Sequence, residues 1–121
     1  MFLVGLVTAP AVIAPGASLS GPVSLGAMTI GGISMPAVWT TANLTFQVSP
    51  DGGTTWQELY DDRGNEVTIQ VAAGQFILML ALPTYDWRAV NMVQVRSGTA
   101  ALPVVQAVGA TINLIAKNEQ L

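Results

Sequence analysis

With neither histidine nor cysteine in its 121 residues, the chain has lost the commonest general base, the thiolate nucleophile and the neutral metal ligand. Carboxylates are what remain for acid–base work, and glycoside hydrolysis is the chemistry that two of them can run when they flank one bond. Asp61-Asp62 and Asp86 are the candidates. Asp61 and Asp62 open the run Asp61-Asp62-Arg63-Gly64-Asn65, however, and acids in such a run are ordinary turn formers. A serine nucleophile would need a lysine or carboxylate relay, and no spacing here suggests one. The sequence therefore predicts a protein that is not an enzyme, with no catalytic residue, no metal ligand set and no cofactor.

Aromatic side chains are the other groups with chemistry to offer. Trp39, Trp56, Trp87, Tyr60 and Tyr85 could each stack on a sugar ring. Tyr85 and Trp87, in Tyr85-Asp86-Trp87-Arg88, are the best placed for a ligand contact because polar residues flank the indole. Against this stands the more frequent use of tryptophan in a β-sandwich, which is core or rim packing.

The sharpest local motif is Ser49-Pro50-Asp51-Gly52-Gly53-Thr54-Thr55-Trp56. Its physics is local: Asp51 can accept backbone N–H bonds across a turn, the glycines permit positive φ, and Trp56 can pack on the base of a hairpin. The eight residues resemble the Asp-box hairpin of sialidase-like propellers and the related hairpin of discoidin-type, galactose-binding-like sandwiches. That resemblance implies a structural hairpin held by Ser49, Asp51, Gly53, Thr55 and Trp56, since in those families the box is mostly a folding device.

Charge decides the class of partner. Only 9% of residues are charged and 51% are apolar, against about 25% charged in an average soluble domain. Residues 1–50 carry no charge at all; the first is Asp51. So few charges leave much of the outside to face another protein. The four cations, Arg63, Arg88, Arg96 and Lys117, are scattered, and a net charge of −3 argues against nucleic acid, which requires clustered cations to displace counterions. Membrane spanning is also not expected. Thr8, Pro10 and Pro15 interrupt the apolar opening well short of the roughly 20 residues a spanning helix needs.

The elements that would carry these residues are strands. No twelve-residue stretch has a helical apolar period with a cap, whereas 12 glycines and 7 prolines punctuate short β-branched runs. Strands are expected at Met28–Met35, with Gly31-Gly32 marking a bulge or close approach, and at Leu44–Ser49, Thr54–Tyr60, Val67–Val71, Gln75–Leu82, Met92–Arg96 and Thr111–Ala116. Gln75–Leu82 is apolar on both faces and reads as central. The sum is an all-β, mostly antiparallel β-sandwich, jelly-roll-like, over residues 28–121. Residues 1–27, cut by three prolines, read as an extended apolar arm that lies on neighbouring subunits through the anchors Phe2, Leu3, Val4, Leu6 and Val7.

A broader likeness runs through Ser18-Leu19-Ser20, Leu25-Gly26, Met35-Pro36-Ala37, Trp39-Thr40, Leu44-Thr45-Phe46-Gln47, the Asp51 hairpin, Leu59-Tyr60-Asp61, Val95-Arg96-Ser97-Gly98-Thr99 and Pro103-Val104. In that order these residues resemble small proteins encoded among the head genes of tailed bacteriophages, over roughly residues 18–115. The resemblance implies a structural virion protein, of the capsid cement (decoration) or head-fibre base type. It would sit on the capsid surface, bind the major capsid protein and form a homo-oligomer, a trimer among the possibilities. The alternative is a carbohydrate-binding module of a phage fibre, or a tail or baseplate accessory protein, with a glycan as ligand.

Overall fold

The computed structural model describes residues 6–79 and 87–117, except the Arg88 side chain. Among the described residues eight strands form two four-stranded sheets, every pairing antiparallel. One sheet has the order β1-β8-β3-β6, built from β1 (Leu6–Ile13), β3 (Thr29–Ser34), β6 (Phe76–Leu78) and β8 (Ala110–Lys117). The other has the order β2-β7-β4-β5, built from β2 (Val23–Ser24), β4 (Leu44–Ser49), β5 (Gln57–Glu58) and β7 (Met92–Ser97). The helical content of the described residues is one 3₁₀ turn at Trp87–Ala89.

Alternation builds the core. In β8, Ala110, Ile112, Leu114 and Ala116 are buried while their neighbours face outward, as a half-buried strand requires. Val93 and Val95 of β7 and Leu44 and Phe46 of β4 face them from the other sheet, and all join one hydrophobic core. Both sheets thus hide one face against the other, the sandwich expected from the sequence.

Two glycines in β3 act as foreseen. The β3–β8 register shifts between Ile30 and Gly32, which places the bulge at Gly31. At Gly32 a Cβ would meet the Phe76 ring, whose Cζ lies 2.6 Å from where it would sit. Glycine lets that ring lie over the strand.

Several expectations need correction. The division at residue 27 is absent, because β1 pairs with β8 over eight residues, from Leu6↔Lys117 to Ile13↔Ala110. Ala11, Ile13, Val23 and Leu25 belong to the core, so residues 6–27 are part of the body and not an arm. The anchors Phe2, Leu3 and Val4 lie outside the described residues, while Leu6 and Val7 are exposed on β1. Pro10, read as a breaker, is tolerated because β1 is an edge strand. The Val12 carbonyl points away from β8 and accepts from Gly21 N–H at 3.3 Å. Pro10, two residues earlier, therefore turns its missing N–H to the same outer side.

Gln75–Leu82 is not central. Its described part, β6, is the far edge of the first sheet, and residues 80–82 lie outside the described residues. Val67–Val71 forms no strand; Ile69 makes an isolated bridge to Leu44. Thr54–Tyr60 contributes only Gln57–Glu58 as β5.

Because β1 completes the core, removal of residues 1–14 is expected to unfold the protein, seen as loss of its thermal transition by circular dichroism. Ile13→Ala, at a site with no exposure, should cost about 2–4 kcal/mol in urea unfolding.

Candidate functional site

Three assemblies of polar or exposed side chains stand out, and each is positioned by a different part of the fold. The first is the hairpin between β4 and β5. Ser49 closes β4, and its hydroxyl oxygen accepts from Gly53 N–H at 2.7 Å while the hydroxyl donates to Asp51 Oδ1 at 2.9 Å. Asp51 in turn accepts from the Thr55 N–H (2.9 Å) and the Thr55 hydroxyl (2.6 Å). Gly52 and Gly53 have φ of 75° and 101°, values that side chains with a Cβ rarely adopt. Ser49, Asp51, Gly53 and Thr55 therefore meet as the motif implied. Trp56 is half-buried and is not among the side chains packed on the core. The Thr55 hydroxyl first, then the Thr55 amide and Ser49, hold the Asp51 carboxyl down at about 2. Every acceptor site so described is used by the hairpin itself, which is a folding role.

The second assembly was not foreseen. Arg96, on the outer face of β7, is 7% exposed. Its guanidinium makes a two-pronged contact with Glu58 of β5, Nη1 to Oε2 at 2.7 Å and Nη2 to Oε1 at 2.6 Å. Glu66 approaches Nη1 at 3.4 Å and also accepts from the Ala100 N–H at 3.0 Å. Gln47 donates to Glu58 at 2.7 Å. The Arg96 hydrogen bonds hold Glu58 below the usual carboxylate range, and the same bonds raise Arg96. Charge pairing of this kind joins β4, β5, β7 and two loops. Its one sequence signal is the position of Arg96 within the alternating run Met92–Arg96.

The third is the outer face of the β1-β8-β3-β6 sheet. Cross-strand registers set its rows: Leu6 beside Lys117, then Thr8–Ile115–Gly32–Leu78, then Pro10–Asn113–Ser34–Phe76, then Val12 beside Thr111. Lys117 is the single charge among these residues. Leu6, Val12, Phe76 and Leu78 are 72%, 55%, 60% and 68% exposed. An antiparallel sheet with one wet face ordinarily carries polar and charged side chains there; here Thr8, Ser34, Thr111, Asn113 and Lys117 share the face with four exposed large apolar side chains.

The remaining candidates separate cleanly. Trp87 is 6% exposed and packs edge-on against Phe46, with ring centroids 5.2 Å apart. Its place as a ligand contact is corrected: the indole is core, and flanking polar residues do not bring it to the surface. Tyr85 and Asp86 lie outside the described residues. Trp39 donates its indole N–H to the Ala42 carbonyl. Asp61 Oδ1 accepts from Arg63 and Asn65 N–H, a turn former. Among the described residues no group of three or more carboxylates could hold a metal ion, and no helix is long and apolar enough to cross a membrane. No protein-family model, curated protein or solved structure matches the chain.

Two outcomes follow from these geometries. Arg96→Ala leaves Glu58 and Glu66 facing one another without their cation, and is expected to cost about 3 kcal/mol in urea unfolding. Asp51→Ala should lower the melting temperature without loss of fold. The Asp51 carboxyl is depressed in the folded state, so its contribution is complete above the ordinary carboxylate value and is lost as pH falls through about 2. The gap between wild-type and variant melting curves should therefore close between about pH 4 and pH 2.

Proposed function

We propose that the chain is a structural protein without enzymatic activity, which works by burying surface against other protein chains, and that its setting is the capsid surface of a tailed bacteriophage, as a cement (decoration) protein. The observation that carries the protein-binding part is the outer face of the β1-β8-β3-β6 sheet, whose rows carry Lys117 as their single charge and expose Leu6, Val12, Phe76 and Leu78. The capsid setting rests on the likeness of residues 18–115 to small phage head proteins.

Area arithmetic supports a repetitive setting. A strand residue occupies about 16 Å² of sheet, from a rise of about 3.3 Å and a strand spacing of about 4.8 Å. The 25 described strand residues of this sheet then span roughly 400 Å² in projection. That is about half of what each partner contributes to a standard interface. One such contact is weak. On a shell, where each copy meets a repeating surface and its own neighbours, weak contacts add through effective concentration.

The sugar-binding alternative has lost its best-placed residue, since Trp87 is committed to the core. A glycan array that returns a specific ligand would revive it.

The test is cosedimentation with assembled capsid shells of the phage that encodes the chain. Wild type should pellet with shells at a fixed stoichiometry. Val12→Lys, which puts a second cation on that face at an exposed site, should pellet at least tenfold less while melting like wild type. A wild-type chain that stays in the supernatant sinks the capsid reading.

A further inference from the structure

Four strands lie at sheet edges, and three are guarded. On β1, Pro10 removes a donor and Gly21 takes the Val12 carbonyl. β2 is two residues long. β5 is also two residues long, and the segment that follows it is covered by Val67 N–H donating to the Leu59 carbonyl at 3.0 Å and by the Tyr60↔Glu66 bridge. Short strands, prolines and covering loops are how proteins prevent edge pairing. The fourth edge, β6, has no such device among the described residues. It contains no proline and no bulge, and residues 67–79 carry no charge.

Its open groups can be identified. Met79 N–H donates to Gly31 O at 3.0 Å and Met35 N–H to Gln75 O at 2.8 Å. With Gly32↔Leu78 and Ser34↔Phe76 as partners, these bonds make both pairs the non-hydrogen-bonded kind. The N–H and C=O of Phe76 and of Leu78 therefore point away from β3, toward the side of β6 on which no described strand pairs. Their side chains are 60% and 68% exposed.

We infer that this edge takes the β6 strand of a second copy of the chain, antiparallel about a two-fold axis at Ile77, which joins two sheets into one of eight strands. A second copy fits because Phe76-Ile77-Leu78 is self-complementary. Phe76 opposite Leu78 of the other copy, and the reverse, satisfies all four outward N–H and C=O pairs with four hydrogen bonds. Phe76 and Leu78 of the two copies then meet on the outer face, and the two Ile77 residues meet on the inner one. Each copy carries a net charge of −3, yet no like charges are brought together at the junction, because the segment is uncharged. Strand addition of this kind draws its affinity from main-chain bonds and its selectivity from the flanking side chains. The inference names the self-contact within the protein-binding role, but it does not depend on the capsid setting.

The experiment uses the full chain without shells, so its failure is separate from failure of the capsid reading. Sedimentation velocity should show a concentration-dependent dimer. Leu78→Lys, an edge guard at an exposed site, should melt like wild type and weaken the dimer at least tenfold. The chain has no cysteine, so single-cysteine variants report register directly. In the inferred pairing the Ile77 Cα atoms sit about 4.5 Å apart, within disulfide range, and Ile77→Cys should crosslink under mild oxidation while Leu78→Cys should not. A wild type that stays monomeric at millimolar concentration overturns the inference. So does a dimer indifferent to Leu78→Lys, or one that crosslinks through Leu78→Cys as readily as through Ile77→Cys.

Discussion

Strand β8 is the constraint on which the first sheet depends. It is paired along its whole length to β1 on one side, and from Asn113 to Lys117 to β3 on the other. Its inner residues Ala110, Ile112, Leu114 and Ala116 are no more than 2% exposed. A strand so placed has one register compatible with burial, since a slip of one residue would turn Thr111, Asn113 and Lys117 into the core. That register fixes where β1 and β3 lie, and β3 fixes β6 through Gly32, Ile33 and Ser34. The composition of the outer face follows from the same registers. Thr111, Asn113 and Ile115 are held outward by the burial of their neighbours, and they bring Val12, Leu78 and Phe76 into rows beside them.

The second sheet is stabilised differently. Its inner face is apolar like that of the first, but its outer face carries Arg96 clamped by Glu58 and Glu66. Every buried side-chain polar atom among the described residues has a partner. Gln106 shows how far this extends. It is 1% exposed, accepts from Thr40 N–H, and donates to Thr40 O and Ser97 Oγ. Those bonds tie two loops to the end of β7. Buried polar groups of this kind cost stability when half satisfied and add rigidity when complete. The loops of this sandwich are thus held by specific bonds, whereas its strands are held by alternation.

That difference explains what could be read from the sequence. Strands β4, β7 and β8 were legible to within a residue because period-two patterning and burial coincide there. β1 was not, because Pro10 breaks a pattern only where its N–H would have been used, and edge position is not written in the local sequence. The signal that was present, Ala9, Ala11 and Ile13 at alternate positions, is diluted by small residues. Gln75–Leu82 misled for the converse reason. Apolar residues on both faces usually mean burial on both sides, but Phe76 and Leu78 face outward at an edge. The hairpin residues Ser49, Asp51, Gly53 and Thr55 were legible because their bonds span no more than four residues. Arg96–Glu58 was not, because that pair spans 38 residues and is set by the β4–β7 and β4–β5 registers together. Trp87 was legible in part: core packing is the more frequent use of tryptophan in a sandwich, and the edge contact with Phe46 places it there although polar residues flank it.

Charge is segregated between the two outer faces. Had the 9% of charged residues been spread evenly, each sheet would have carried a few and neither would have been distinctive. Instead Arg96, Glu58 and Glu66 cluster over β4, β5 and β7, where they neutralise one another in part and steady the loops. The rows of the other sheet keep only Lys117, at one corner. One guanidinium against two carboxylates leaves that cluster negative, and salt limits its reach into solution to about 8–10 Å. On the other sheet Leu6, Val12, Phe76 and Leu78 could be covered without desolvating a polar group, whereas Thr8, Ser34, Thr111, Asn113 and Lys117 would each need a hydrogen-bond partner if covered. Specificity on such a face must then come from shape and from main-chain bonds. The open groups of Phe76 and Leu78 at the β6 edge supply the second of these, and the Phe76 ring seated over Gly32 supplies the first.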